Sequence, residues 1–328
     1  MDYLSIPSKL SNLFHCSMAS EPNDFVLVNA FASTPFGGNP AAVLFLKSPF
    51  LKNDTYLKVA QNFAQPMTSF ILPSDETQEP DESTLSYNIR WFTVNKEAPM
   101  CGHGTLAAAH ALFTCRGLPS TIHTLRFKTL DGVYVYARRI SKPESPLRIQ
   151  IELPLYDLEP LSGEELQKIQ SITERALRLP GMGIKYVGRG SKVDGAQRYL
   201  LIELDEEVDL AAVNVDTSVF AETKPITTNI ITVRSKRPDV AYEYRMFAPV
   251  AGVPEDHVCG SANCTMAPYW SRKLGLTSSE GTSEISKEMN VKAVSERSGD
   301  LWINVDEVQR VVYLKGEACT FGEGRIYI

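Results

Sequence analysis

Two short stretches of the chain carry residue types and spacings suited to acid–base chemistry. Residues 98–110 read APMCGHGTLAAAH and residues 255–267 read EDHVCGSANCTMA, so Cys101-Gly102-His103-Gly104 is answered nearly half a chain later by Cys259-Gly260-Ser261-Ala262. A glycine turn feeding a helix exposes unpaired N–H groups and the positive end of the helix dipole, which together attract an anion. If both turns face one cleft, Gly102, Gly104, Gly260 and Ser261 cradle a carboxylate and stabilise negative charge that develops beside it, with no metal or cofactor. A thiol at a helix start is expected to be acidified. One thiolate, Cys101 or Cys259, then takes a proton from the carbon next to the carboxylate while the other thiol delivers one from the opposite face. The product is the mirror-image or rearranged compound.

Blander roles compete with this one. A lone buried Cys-Gly pair is usually structural, but its duplication at matched places argues for a working pair. A zinc site from Cys101, His103, Cys259 and Cys264 is not expected, because Cys264 follows Cys259 by five residues on a helix and points elsewhere. His103 is either a proton carrier or a hydrogen-bonded cap, and Asp256 either a cleft carboxylate or a turn residue. His110 reads as a core residue. Of the turn Gly37-Gly38-Asn39-Pro40, only Asn39 is a candidate for facing substrate.

The elements that must hold these residues are mostly strands. Residues 24–33 and 37–46 read as a first β unit, 85–94 as a further strand, 53–64 as a helix closed by Pro66, and 104–113 as a helix apolar nearly all round. The second half repeats the order, with strands at 229–235 and 241–249, a helix at 261–275 and closing strands within 301–321. Each cysteine turn follows an Arg-x-Phe strand, at Arg90 and at Arg245. The chain is therefore divided into an extension (1–23), a first unit (24–142), a linker at 141–146 and a second unit (147–328) whose last strand ends that unit or crosses back to the first.

The chain has 328 residues, 43% of them hydrophobic and 22% charged, with a net charge of -6 and no apolar run of membrane-spanning length. Nucleic acid and membrane partners are not expected, and a small molecule is. Six cysteines without a secretory signal fit a reducing, cytoplasmic setting. No phosphate-loop lysine, dinucleotide fingerprint or serine elbow occurs.

The segments NAFASTPFGGNPAAVLFL, RWFTVNKEAPMCGHGTLAAAHAL and YRMFAPVAGVPEDHVCGSANCTMAPYWSRKLG resemble the phenazine-biosynthesis PhzF-like family, from about residue 24 to the end. That resemblance implies an α+β, diaminopimelate epimerase-like fold: two pseudo-symmetric domains, each a curled mixed sheet around a central helix, with a cofactor-free cleft and often a homodimer. It also implies site roles for His103, Asp256 and Ser261, with Gly102 and Gly260 supplying N–H groups. Two departures matter. Met67 stands where many members carry a glutamate acid–base group, and a thioether cannot shuttle protons. Cys259 replaces the usual threonine, so cysteine occupies both positions of the pair used by diaminopimelate epimerases and proline racemases. The expected function is a cofactor-independent racemase or epimerase working through Cys101 and Cys259. The alternatives are a PhzF-like proton-shifting isomerase using Asp256 and His103, and a non-catalytic binder of small molecules.

Overall fold

The computed structural model describes residues 21–47, 51–76, 81–140, 146–277 and 285–328. The expected extension lies outside these residues up to residue 20, and the expected linker up to 145. The first half runs β1 (Asn23–Ala30), β2 (Asn39–Phe45), α1 (Asn53–Phe63), β3 (Met67–Pro73), β4 (Thr84–Phe92), β5 (Glu97–Ala98), α2 (Gly102–Cys115), β6 (Thr124–Lys128), β7 (Tyr134–Arg139) and β8 (Arg148–Pro154). A short β9 (Leu158–Pro160) and α3 (Gly163–Leu177) lead into β10 (Ile184–Gly190), β11 (Tyr199–Leu204), β12 (Thr228–Arg234), β13 (Tyr242–Ala248), β14 (Val253–Asp256), α4 (Asn263–Lys273), β15 (Met289–Ala293), β16 (Gly299–Asp306) and β17 (Val311–Ile326). Every strand and helix expected from patterning falls on one of these, with ends moved by a few residues. The helix expected from 261 begins at Asn263, which leaves Ser261 in the turn before it.

The pairing repeats in the two halves. In the first, β2–β3 and β4–β6 are parallel and β1–β2, β3–β4, β6–β7 and β7–β8 antiparallel. In the second, β11–β12 and β13–β15 are parallel and β10–β11, β12–β13, β15–β16 and β16–β17 antiparallel. Each curled sheet closes with a strand from the other half. The start of β17 pairs with β8 and its end runs along the whole of β1, while β9, continuing the line of β8, pairs with β10. β8 thus pairs with β7 of the first half as well as with β17.

Burial explains which strands read as unbroken apolar runs. β2 and β11 are buried at every residue, because the central helix covers one face and an outer helix the other. Tyr56, Val59 and Ala60 of α1 pack on Ala42, Leu44, Phe70 and Phe92. Ile169, Ile172 and Ala176 of α3 pack on Leu200, Ile202 and Ile231. β6 and β8 have one covered face and alternate accordingly. The patterning argument does not anticipate β3, β5 to β11, β14, β15 or α3. Of these, α3 lies between β9 and β10, whereas α1 crosses from β2 to β3, so it stands outside the repeat.

α2 is buried from Gly102 to Phe113, which fits its apolar circumference. His110 sits on it as a core residue, its Nε2 3.1 Å from Thr320 Oγ1 on β17. Burial pushes its imidazole down from 6.5 to about 4. Between those values the unfolded chain binds a proton that the folded chain refuses, so stability falls as pH drops through this window, by up to about 3 kcal/mol. Urea midpoints at pH 7.5 and 4.5 should therefore differ less in His110→Gln than in the parent protein. Among the described residues no helix is long and apolar enough to cross a membrane.

Candidate active site

Each cysteine turn is the exit of a β-hairpin. β4 folds back into β5, which runs through Pro99 and Met100 to Cys101, the N-cap of α2. There the sulfur accepts the Gly104 N–H at 3.4 Å, lies 3.4 Å from His103 Nδ1, and the Cys101 carbonyl accepts the Thr105 hydroxyl at 2.7 Å. β13 folds back into β14, which leads through His257 and Val258 to Cys259. Its sulfur lies 3.5 Å from Ser261 Oγ, and its carbonyl accepts from Tyr244 Oη at 3.1 Å and Asn263 Nδ2 at 3.3 Å.

The two turns meet. A methyl group added to Gly102 would stand 3.7 Å from Gly260 Cα and 3.9 Å from Ser261 N, and one added to Gly260 would stand 3.8 Å from Gly102 Cα. The turns ahead of α2 and α4 therefore face each other across a seam, at van der Waals distance. Asn39, at the start of β2, spans the seam: its Nδ2 donates to Asp256 Oδ1 at 2.5 Å and to the Val258 carbonyl at 3.0 Å. The turn before Asn39 requires glycine at 38, where φ is +72° and a Cβ would lie 2.3 Å from the Ala30 carbonyl oxygen. Arg297 locks that turn by donating to the Gly37 and Gly38 carbonyls and to Asn29 Oδ1.

Cys101, His103, Cys259, Asp256, Ser261, Asn39, Gly102 and Gly260 are thus brought together. Met67 and Gly104 adjoin each other one layer away: a Cβ on Gly104 would lie 2.9 Å from both Ser69 Oγ and Trp91 Cδ1 and 3.1 Å from Met67 Cγ, so close packing requires glycine there. Cys264 is buried in the first turn of α4, and Arg198 rather than Asp256 acts on its thiol. Among the described residues no group of three or more His, Cys, Asp or Glu side chains could hold a metal ion.

The electrostatics correct one expectation. Helix-start thiols were expected to be acidified, yet burial pushes Cys101 up to about 12, and the Asp256 charge adds to the rise against the opposing Gly104 N–H. Cys259 is also pushed well up, first by burial and then by the Asp256 charge, which disfavours the thiolate, against the Ser261 hydroxyl. The reason is solvation: Cys101 is 8% exposed and Cys259 4%, and loss of water outweighs the partial charge of a helix end. Burial lowers His103, Asp256 opposes that, and His257 adds to the lowering, so the imidazole is neutral. His103 Nε2 and Asn39 Oδ1 are buried without a hydrogen-bond partner among the described residues. Sequence reasoning passed over Arg297 and His257, which no local motif marks.

The model of the phenazine biosynthesis-like protein family matches residues 28–324. The chain belongs to this family. Similar relatives include an uncharacterized isomerase of Pseudomonas aeruginosa, 31% identical over 92% of this chain and 98% of its own, and a phenazine biosynthesis-like domain-containing protein of Rattus norvegicus, 31% identical over 92% and 97%. Among solved structures, a phenazine biosynthesis protein of the PhzF family from Enterococcus faecalis superposes with a TM-score of 0.74 at 27% identity, over 94% of this chain and all of that one. A probable proline racemase from Agrobacterium radiobacter shares the fold at TM-score 0.58 and 11% identity, over 93% of this chain and 92% of its own. The fold is α+β and diaminopimelate epimerase-like, as family members of this kind have it.

Proposed function

We propose that this family member is a cofactor-independent racemase or epimerase that moves a proton at the carbon beside a carboxylate or carbonyl of a small molecule. The observation that carries the reading is the contact of Gly102 with Gly260, which aims two helix starts at one place. A substrate carboxylate bound there receives backbone N–H groups from both sides, and the same groups hold the negative charge when the neighbouring carbon loses its proton.

Each thiol has its own proton acceptor. Cys101 lies beside His103 Nδ1, and Cys259 is under the influence of the Asp256 carboxylate. Their raised affinities make both thiols protonated donors at rest, so a turnover starts when one passes its proton to its neighbour. That thiolate takes the proton from the substrate carbon, the other thiol gives its own to the opposite face, and the configuration inverts. Unpartnered His103 Nε2 and Asn39 Oδ1 are the groups left to hold the substrate's polar atoms.

A second reading rests on the same raised thiols: Asp256 and His103 shift the proton themselves and the cysteines stay neutral. Incubating the protein in heavy water with amino, hydroxy and keto acids tests both against a binding role. An isomerase washes deuterium into the carbon beside the carboxylate of at least one compound. Stabilisation of the protein by such a compound with no exchange in any would make it a binder and end the isomerase reading.

A further inference from the structure

We infer that two half-buried arginine–glutamate forks, one in each half, are positioning residues that set the two cysteine turns independently; this rests on the reading of those turns as the reacting site. Arg90 on β4 donates through Nε and Nη2 to the two oxygens of Glu97 on β5, at 2.8 and 2.7 Å. Arg245 on β13 donates in the same way to Glu255 on β14, at 2.7 and 2.8 Å. Each glutamate precedes its cysteine by four residues, and each arginine side chain is 10% exposed. The fork pins the short strand that delivers the turn, so its register fixes where the sulfur lies.

Each arginine grips a second element, the crossover between the parallel strands of its own half. The Arg90 guanidinium lies 4.4 Å from the ring centre of Tyr56 on α1, which links β2 to β3. The Arg245 guanidinium instead donates to the Leu210 and Val213 carbonyls, at 3.3 and 2.6 Å, in the connection from β11 to β12. One geometric task is met by stacking in one half and hydrogen bonding in the other. Both demand a planar, five-donor cation, and lysine offers neither the fork nor the flat face.

The test needs no substrate, so it stands or falls apart from the isomerase reading. Cys101, Cys259 and Cys264 are three buried thiols whose alkylation by iodoacetamide can be followed peptide by peptide. Arg245→Met, and Glu255→Gln in case the first fails to fold, should speed alkylation of Cys259 at least tenfold and leave Cys101 and Cys264 as they were. Arg90→Met and Glu97→Gln should do the reverse for Cys101. Arg245→Lys and Arg90→Lys should restore the parent rates only in part. Where deuterium exchange is found, the same variants should lower kcat with KM little changed. A common rise at all three thiols, or no change at any, would show that the forks only stabilise the fold and would overturn the inference.

Discussion

Cys259→Ser is expected to leave the fold intact and lower deuterium exchange by about three orders of magnitude, because a hydroxyl holds its proton far more tightly than a thiol of the same size and place. Cys101→Ser should do the same from the other turn. The informative comparison is Cys259→Thr, which restores the residue usual in the resembled family. Under the two-thiol mechanism threonine is no better than serine, since neither can give up its proton to Asp256. Near-normal exchange by Cys259→Thr would transfer the chemistry to Asp256 and His103. Circular dichroism on each variant separates lost chemistry from lost structure, and the bonds from Tyr244 and Asn263 go to the Cys259 carbonyl, which the substitution leaves in place.

Asp256→Asn is expected to separate the acidity of the thiols from the activity of the site. The amide keeps an oxygen for Asn39 to donate to, so the bridge across the seam persists while the charge is lost. That charge pushes both thiols up and supports His103, so its removal should make Cys101 and Cys259 more acidic and lower His103 further. With Cys101 at about 12, the thiolate at pH 7 is roughly one part in 10^5, and its alkylation should climb about tenfold per pH unit. In Asp256→Asn the alkylation curves of both thiols should move to lower pH while exchange falls by about 100-fold or more, because the acceptor of the Cys259 proton is gone. An unmoved curve would mean that Asp256 does not act on the thiols.

The strands β1, β2, β4, β12, β13, β16 and β17 and the central helices were legible because turn residues and apolar runs mark their limits, whereas β3, β5 to β11, β14 and β15 were not read. The two Cys-Gly turns were legible because each is local, ahead of a buried helix, and duplicated. α3 went unread, although Ile169, Ile172, Thr173 and Ala176 form a helical stripe, because its place outside the repeat gave no reason to look for it. The acidity of the thiols was misread for a different reason. A helix end is visible in a sequence, but the removal of water from that end depends on how distant segments close over it. The bond from Asn39 to Asp256 likewise joins residues in separate halves, and no spacing rule reports it. The forks lay between these cases. Glu97 and Glu255 stand at the same offset from each cysteine, but their meaning appears only when each hairpin is folded back on its arginine.

The exchange of closing strands governs the order in which this protein can be made. β1 leaves the ribosome well before β17, and its neighbour along one whole edge is the far end of β17, from Ala318 to Ile326. The first sheet must therefore wait, with that edge open, until nearly three hundred further residues have been added. The nascent chain is exposed to mispairing for all of that time, and loop closure across such a separation is slow. Each half pairs with a strand of the other, so shortening the chain before Ala318 should leave the first sheet unclosed and put the two cysteine turns out of register.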